Sequence, residues 1–216
     1  MSNSWPFFWK YQLFAVSFWL LEFLYQYVFL SERDLAASFI RGSGLSGATL
    51  ISAALFSSSI FKWFPQTAKF WRLRRFLGVS GFAFIVLHTQ AVLYVARYQV
   101  AEIYYTLNPF ENPIVFGSIA FFILFFLAVT STDWAVSYLT PRIWKTIHRF
   151  VYVAYISAIF HFITINPPLL MNPPGFLLLG ITALAISGQL YWFLKIASRK
   201  RFLSFGSIVG IAIILT

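Results

Sequence analysis

A chain of 216 residues that is 60% apolar, 21% aromatic and 10% charged cannot clothe a water-facing surface, since a soluble domain carries about 25% charged residues. It has no cysteine, which excludes disulfides, iron–sulfur clusters, zinc–thiolate sites and cysteine-attached haem. The net charge of +10 would suit nucleic acid in a soluble protein. Here the basic residues stand beside apolar stretches, the pattern of membrane topology, and no nucleic-acid partner is expected.

A spanning helix needs about 20 mostly apolar residues. In chain order, the stretches 11–30, 45–64, 76–98, 113–131, 143–165 and 176–196 qualify. The first follows Lys10 and is too long for a signal-peptide core, so it is expected to stay as a span. The second is the weakest, with Gly42, Gly44 and Gly47 before or within it and serines at 57–59. Such small residues suit close helix packing. Asn108-Pro109 and Asn112-Pro113 break the chain before the fourth stretch, and Pro167-Pro168 and Pro173-Pro174 break it before the sixth, because proline fixes φ and ends helices. Trp9, Trp63, Tyr98, Tyr104, Tyr105, Trp144 and Trp192 fall near span ends, as an interfacial belt would. The tail 202–216 is apolar but short, with Gly206 and Gly210 at a helix-association spacing. It reads as an interfacial or packed terminal helix. No internal repeat and no soluble domain is evident.

Charge sets the orientation. Lys10, Lys62, Lys69, Arg72, Arg74, Arg75, Arg142, Lys145, Arg149, Lys195, Arg199, Lys200 and Arg201 fall on one side of a six-span arrangement. Only Arg33, Arg41 and Arg97 fall on the other. Cytoplasmic loops hold the excess of Lys and Arg. The expected fold is therefore an all-α integral membrane protein. It is a six-helix bundle with both termini cytoplasmic, forming one transmembrane domain over 1–216.

The histidines are His88, His148 and His161, and all fall within predicted spans. Ionisable groups inside a membrane are costly and tend to be functional, so ligation is the favoured role. Spans three and five run in the same direction. His148 and His161 are 13 residues apart, roughly 20 Å along a helix, too far for one iron or one compact copper or zinc centre. His88 and His161 are closer in depth and form the preferred axial pair for haem iron. Thirteen residues also turn an ideal helix by about 220°, so His148 and His161 face different neighbours unless the helix is irregular. His148 is left as a ligand of a second, inner haem or an alternative ligand of the first. Arg149 suits a haem propionate or a positive-inside anchor. Arg74 and Arg75 suit a phosphate of flavin or lipid, or topology alone. Phe82, Phe84, Phe150, Tyr152, Tyr155, Phe160 and Phe162 suit a porphyrin or ordinary packing. Glu22 reads as a structural carboxyl before a quinol-linked one, and Gln189 as interhelical glue.

Arg74-Arg75-Phe76-Leu77-Gly78 with Phe82, Leu87-His88 and Tyr94 resembles the third-span motif of the ferric-reductase-like transmembrane family. Thr130-Ser131 resembles a further marker. Trp144, Ile147-His148-Arg149, Tyr152 and His161-Phe162 resemble the fifth-span motif. The resemblance covers about 45–196 and is nearest to the MsrQ/YedZ branch of haem-binding membrane subunits. Pro141-Arg142, Ile147 and Phe150 depart from that branch's pattern. The family implies b-type haem and transmembrane electron transfer, with flavin in some members. The branch implies a molybdenum-containing periplasmic reductase as partner.

The chain shows no Gly-rich dinucleotide fingerprint. It is therefore expected to take electrons from quinol, a bound flavin such as FMN, or a separate cytoplasmic reductase. It would pass them to a periplasmic partner, a ferric species or oxygen across a bacterial or archaeal cytoplasmic membrane. The alternative is a non-redox scaffold or accessory subunit whose histidines are structural or contact pigment or lipid.

Overall fold

A computed structural model of the chain describes residues 5–95, 104–165 and 167–199. The expectations for Arg97, Tyr98, Lys200, Arg201 and the tail with Gly206 and Gly210 lie outside the described residues. Among those described, regular structure is entirely helical. Five helical stretches are long and apolar enough to cross a membrane: Tyr11–Leu30, Leu35–Trp63, Pro65–Tyr94, Arg142–Ile165 and Pro173–Lys195. The protein is a multi-pass helical membrane protein.

Helix α1 (Trp5–Tyr25) continues into a π-turn, Gln26–Leu30. The chain reverses through Glu32 and Arg33, both at positive φ (48° and 65°). Asp34 then caps α2 by accepting from the amides of Ala36 and Ala37. That cap starts α2 (Leu35–Trp63) ten residues before the expected boundary at 45. The glycines and serines that lowered the apparent hydropathy of this segment lie inside the helix, because neighbouring backbones approach there. A Cβ on Gly47 would stand 2.8 Å from the carbonyl oxygen of Gly81, and one on Gly81 would stand 2.8 Å from that of Gly47. Helix α2 is consequently the buried centre of the bundle, with Ser38, Ser43, Ser46, Ser52 and Ser59 enclosed.

A 3₁₀ turn (Pro65–Phe70) leads into α3 (Trp71–Val95), which runs antiparallel to α2. Helix α4 (Ile114–Val129) has 16 residues, about 24 Å, and is shorter than the expected 113–131 span. Thr130 and Ser131 end it by donating back to carbonyls of Phe126 and Leu127. The short helices α5 (Asp133–Tyr138) and α6 (Pro141–His148) follow, capped by Thr132 and Thr140. Helix α7 (Val151–Ile165) is separated from α6 by a break at Arg149 and Phe150, where the amide of Phe150 bonds to Ile147 and that of Tyr152 to Arg149. The expected span 143–165 is thus present as Arg142–Ile165, built from two helices. After a 3₁₀ turn (Pro167–Met171), α8 runs Pro173–Arg199.

Two apolar clusters flank α2. Leu50 and Ala54 meet Ala15 of α1 and Leu77 and Phe84 of α3. Leu45, Ile51 and Leu55 meet Leu124 and Leu127 of α4, Ala154 and Tyr155 of α7, and Leu178 and Ala185 of α8. The outward faces carry exposed Leu13, Phe29 and Phe126, as lipid contact demands. Across the second cluster, Ser52, Tyr155 and Thr182 join their hydroxyls, with Tyr155 2.5 Å from Thr182. Interhelical hydrogen bonds of this kind contribute about 0.6–2 kcal/mol. Tyr155→Phe is therefore expected to lower the melting temperature in detergent, at a cost of about 1 kcal/mol, and to leave haem content unaltered. Gln189 also bridges helices, accepting from Lys62 and donating to Ser59.

Candidate functional site

His88 projects from α3 toward α2, where its Nδ1–H donates to the carbonyl of Ile40 at 2.8 Å. The ring fits because residue 44 is glycine: a Cβ there would lie 3.0 Å from Nδ1. His161 projects from α7 toward α4 and donates through Nδ1–H to the carbonyl of Pro113 at 3.0 Å. A Cβ on Gly117 would lie 2.8 Å from that Nδ1. A carbonyl can only accept, so both imidazoles carry their proton on Nδ1 and keep the Nε2 lone pair for a metal.

The two ring centroids are 6.4 Å apart, with planes at 81°. With metal–nitrogen bonds of about 2 Å, imidazoles on opposite faces of one iron place their centroids roughly 6 Å apart. The pair fits a haem iron in spacing and tautomer. Backbone carbonyls behind each ring are the outer partners that fix ligand orientation and basicity.

His148 is placed differently. It ends α6, donates from Nδ1 to the carbonyl of Trp144 at 3.0 Å and stacks on that indole at 3.8 Å between centroids. Its Nε2 lies 3.2 Å from Ser131 Oγ, and Trp144 Nε1 donates to the carbonyl of Thr130. The fold therefore gathers Thr130, Ser131, Trp144 and His148 into one cluster beside the break at Arg149. For His148 to bind a metal through Nε2, Ser131 must turn away. Among the described residues no three His, Asp or Glu side chains cluster to hold a metal ion.

Arg75 is engaged with Asp133 at 2.5 Å, tying the start of α3 to α5. The Asp133 carboxyl is held below the usual carboxylate range, first by the hydrogen bond from Arg75 and then by its charge. A carboxyl depressed by folding contributes stability at neutral pH, and that contribution disappears as pH falls through the lowered value. Melting temperatures of the wild type and Asp133→Asn are expected to differ at neutral pH and converge in acid. Identical values at every pH would show the link to be inert, as many exposed pairs are.

The aromatic side chains divide among partners. Phe160 stacks on Phe116 of α4, which meets Phe110. Phe82 packs on Phe121 and Phe125, and Phe84 lies parallel to Trp19 of α1. Glu22 is buried in α1 beside α2.

A family model described as ferric reductase like transmembrane component matches residues 43–159. The chain belongs to the ferric reductase-like transmembrane family. The matched stretch holds His88 and His148 and ends two residues before His161. Within curated proteins, the chain is 34% identical over 93 residues to the protein-methionine-sulfoxide reductase heme-binding subunit MsrQ of Azospira oryzae, covering 43% of this chain and 40% of that protein. It is 38% identical over 92 residues to the MsrQ subunit of Bordetella pertussis, covering 42% and 44%. The chain thus spans less than half the length of these curated relatives.

The residues that sequence reasoning overlooked in this family member are the backing groups: Ile40 and Pro113 through their carbonyls, and Gly117. The signal was available as a spacing. Each carbonyl lies 48 residues before its histidine.

Proposed function

We propose that this chain is a haem b-binding electron-transfer subunit. It carries electrons from the cytoplasmic side or the quinone pool to an extracytoplasmic acceptor. The observation that carries this reading is the opposed His88–His161 pair, 6.4 Å between centroids, with both Nδ1 atoms engaged and both Nε2 atoms left for iron. The heme-binding designation of the two MsrQ relatives supports the same chemistry.

In this reading His88 and His161 would hold the haem iron through Nε2. When bound, haem supplies a one-electron iron couple whose potential follows its axial ligands and their hydrogen bonds. Ile40 and Pro113 orient the ligands through Nδ1. Both rings are half-buried between their helices. His148 is the candidate for an inner site or an alternative ligand. Arg149 stands next to it for a propionate, and Arg75 becomes available to a phosphate only after leaving Asp133. Helix α4 is the sixth span, extended at its end by the Thr130–Ser131 turn. The excess of Lys and Arg places both termini in the cytoplasm, within a single transmembrane domain that includes the apolar tail. The donor is quinol, a bound flavin such as FMN, or a cytoplasmic reductase. The acceptor is a periplasmic reductase, in keeping with the protein-methionine-sulfoxide reductase in the relatives' names, or a ferric species.

The test is a dithionite-reduced minus oxidised spectrum of detergent-purified protein, with haem counted by pyridine haemochromogen. A b-type spectrum at one haem or more per chain is expected. A protein that stays colourless after haem is supplied during expression overturns the reading.

A further inference from the structure

The two histidines are backed by the same device on different helix pairs. On α2 and α3, the carbonyl of Ile40, then Gly44, meet His88; on α4 and α7, the carbonyl of Pro113, then Gly117, meet His161. Every member is displaced by 73 residues from its counterpart: 40 to 113, 44 to 117 and 88 to 161. Trp71 and Trp144 stand at the same displacement. In each copy the glycine follows the accepting carbonyl by four residues, so its own amide and the imidazole converge on one oxygen. In the second copy the amide of Gly117 is drawn out to 3.4 Å from Pro113 while the imidazole donates at 3.0 Å.

We infer that Gly44 with Ile40 and Gly117 with Pro113 form two matched positioning clamps, which lock the imidazole planes of His88 and His161 near perpendicular and thereby set the electronic state of the iron between them. The inference rests on the haem reading above. An imidazole anchored only at Nε2 can spin about its iron–nitrogen bond. A hydrogen bond at Nδ1 removes that freedom, and a missing Cβ lets the ring edge approach the helix closely enough to make it. The two clamps stand on different helix pairs and leave the planes at 81°. Perpendicular planes donate equally to two iron d orbitals and leave them nearly degenerate. Parallel planes split them. The electron paramagnetic resonance spectrum of the oxidised low-spin iron separates the cases: a ramp-shaped signal at large g marks perpendicular planes, and a rhombic three-line signal marks parallel ones.

The experiment compares haem-loaded wild type with Gly44→Ala, Gly117→Ala and Gly180→Ala at liquid-helium temperature, with haem per chain counted in parallel. Gly180 has nothing within 4 Å of its would-be Cβ and serves as the control. Wild type and Gly180→Ala are expected to show the large-g ramp signal. Gly117→Ala, whose Cβ would intrude to 2.8 Å, is expected to shift toward the rhombic form more than Gly44→Ala, whose Cβ would reach 3.0 Å. Should Gly117→Ala hold no haem, the milder Gly44→Ala decides. A rhombic wild-type signal, or haem-loaded Gly44→Ala and Gly117→Ala with the wild-type signal, overturns the clamps while leaving the haem reading intact. A wild type that binds no haem overturns the haem reading and the clamps with it.

Discussion

His88→Ala and His161→Ala are each expected to remove haem from the paired site, whereas His148→Ala is expected to leave it there. Each of the first two deletes one of two opposed imidazoles, 6.4 Å apart by their centroids. Losing only the hydrogen-bond partner of a metal ligand costs roughly 10–100-fold in affinity, so deleting the ligand itself is expected to cost more. His148 donates from Nδ1 to the Trp144 carbonyl, and its Nε2 stands 3.2 Å from Ser131 Oγ rather than facing the other two rings. It also lies on the far side of the α6–α7 break from His161. Haem per chain by pyridine haemochromogen reads the outcome. Wild-type haem content in both His88→Ala and His161→Ala would remove them as ligands. Loss in His148→Ala together with only one of them would move the pair.

Gly81→Val is expected to prevent assembly of the α2–α3 pair and with it the His88 site. A Cβ at 81 would already stand 2.8 Å from the Gly47 carbonyl oxygen and 3.1 Å from the Ile51 amide nitrogen, and backbone atoms cannot swing aside as a flexible side chain does. Overpacking a core commonly costs about 1–3 kcal/mol. Here the added atoms force two helices apart along the interface that seats His88 on Gly44, so the cost is expected at or above that range. Size-exclusion chromatography in detergent and haem content measure it. A monodisperse, haem-loaded Gly81→Val protein would show that the contact tolerates separation. Gly180→Val, with open space around residue 180, is expected to behave as wild type.

The helical content of the fold was legible because lipid as solvent leaves the backbone few alternatives. Hydropathy puts the start of the second span at 45 because Ser38, Gly42, Ser43 and Gly44 dilute it, although Asp34 carries the cap and Ser38, Gly42 and Ser43 are buried against other helices. For the expected span 113–131 the structure has a shorter apolar helix, α4, whose end is set where Thr130 and Ser131 turn their hydroxyls onto the preceding carbonyls. The difficulty that 13 residues rotate His148 away from His161 met an irregularity at Arg149 and Phe150, which no local pattern announced. In sequence Arg75 suits a phosphate or topology alone, and its ion-pair partner escapes local reading because Asp133 stands 58 residues away.

By itself, the sequence determined that this protein lives in lipid, and it pointed to three histidines within the spans as the candidate ligands. It also singled out His88 and His161, because composition, span length and depth along a helix follow from local covalent geometry. Which rings face one another, at what angle, and which glycines and carbonyls stand behind them was decided only by tertiary packing. A helix's rotation and tilt are set by its neighbours, so the approach of Gly44 to His88 and of Gly117 to His161 exists only once α2, α3, α4 and α7 have closed together.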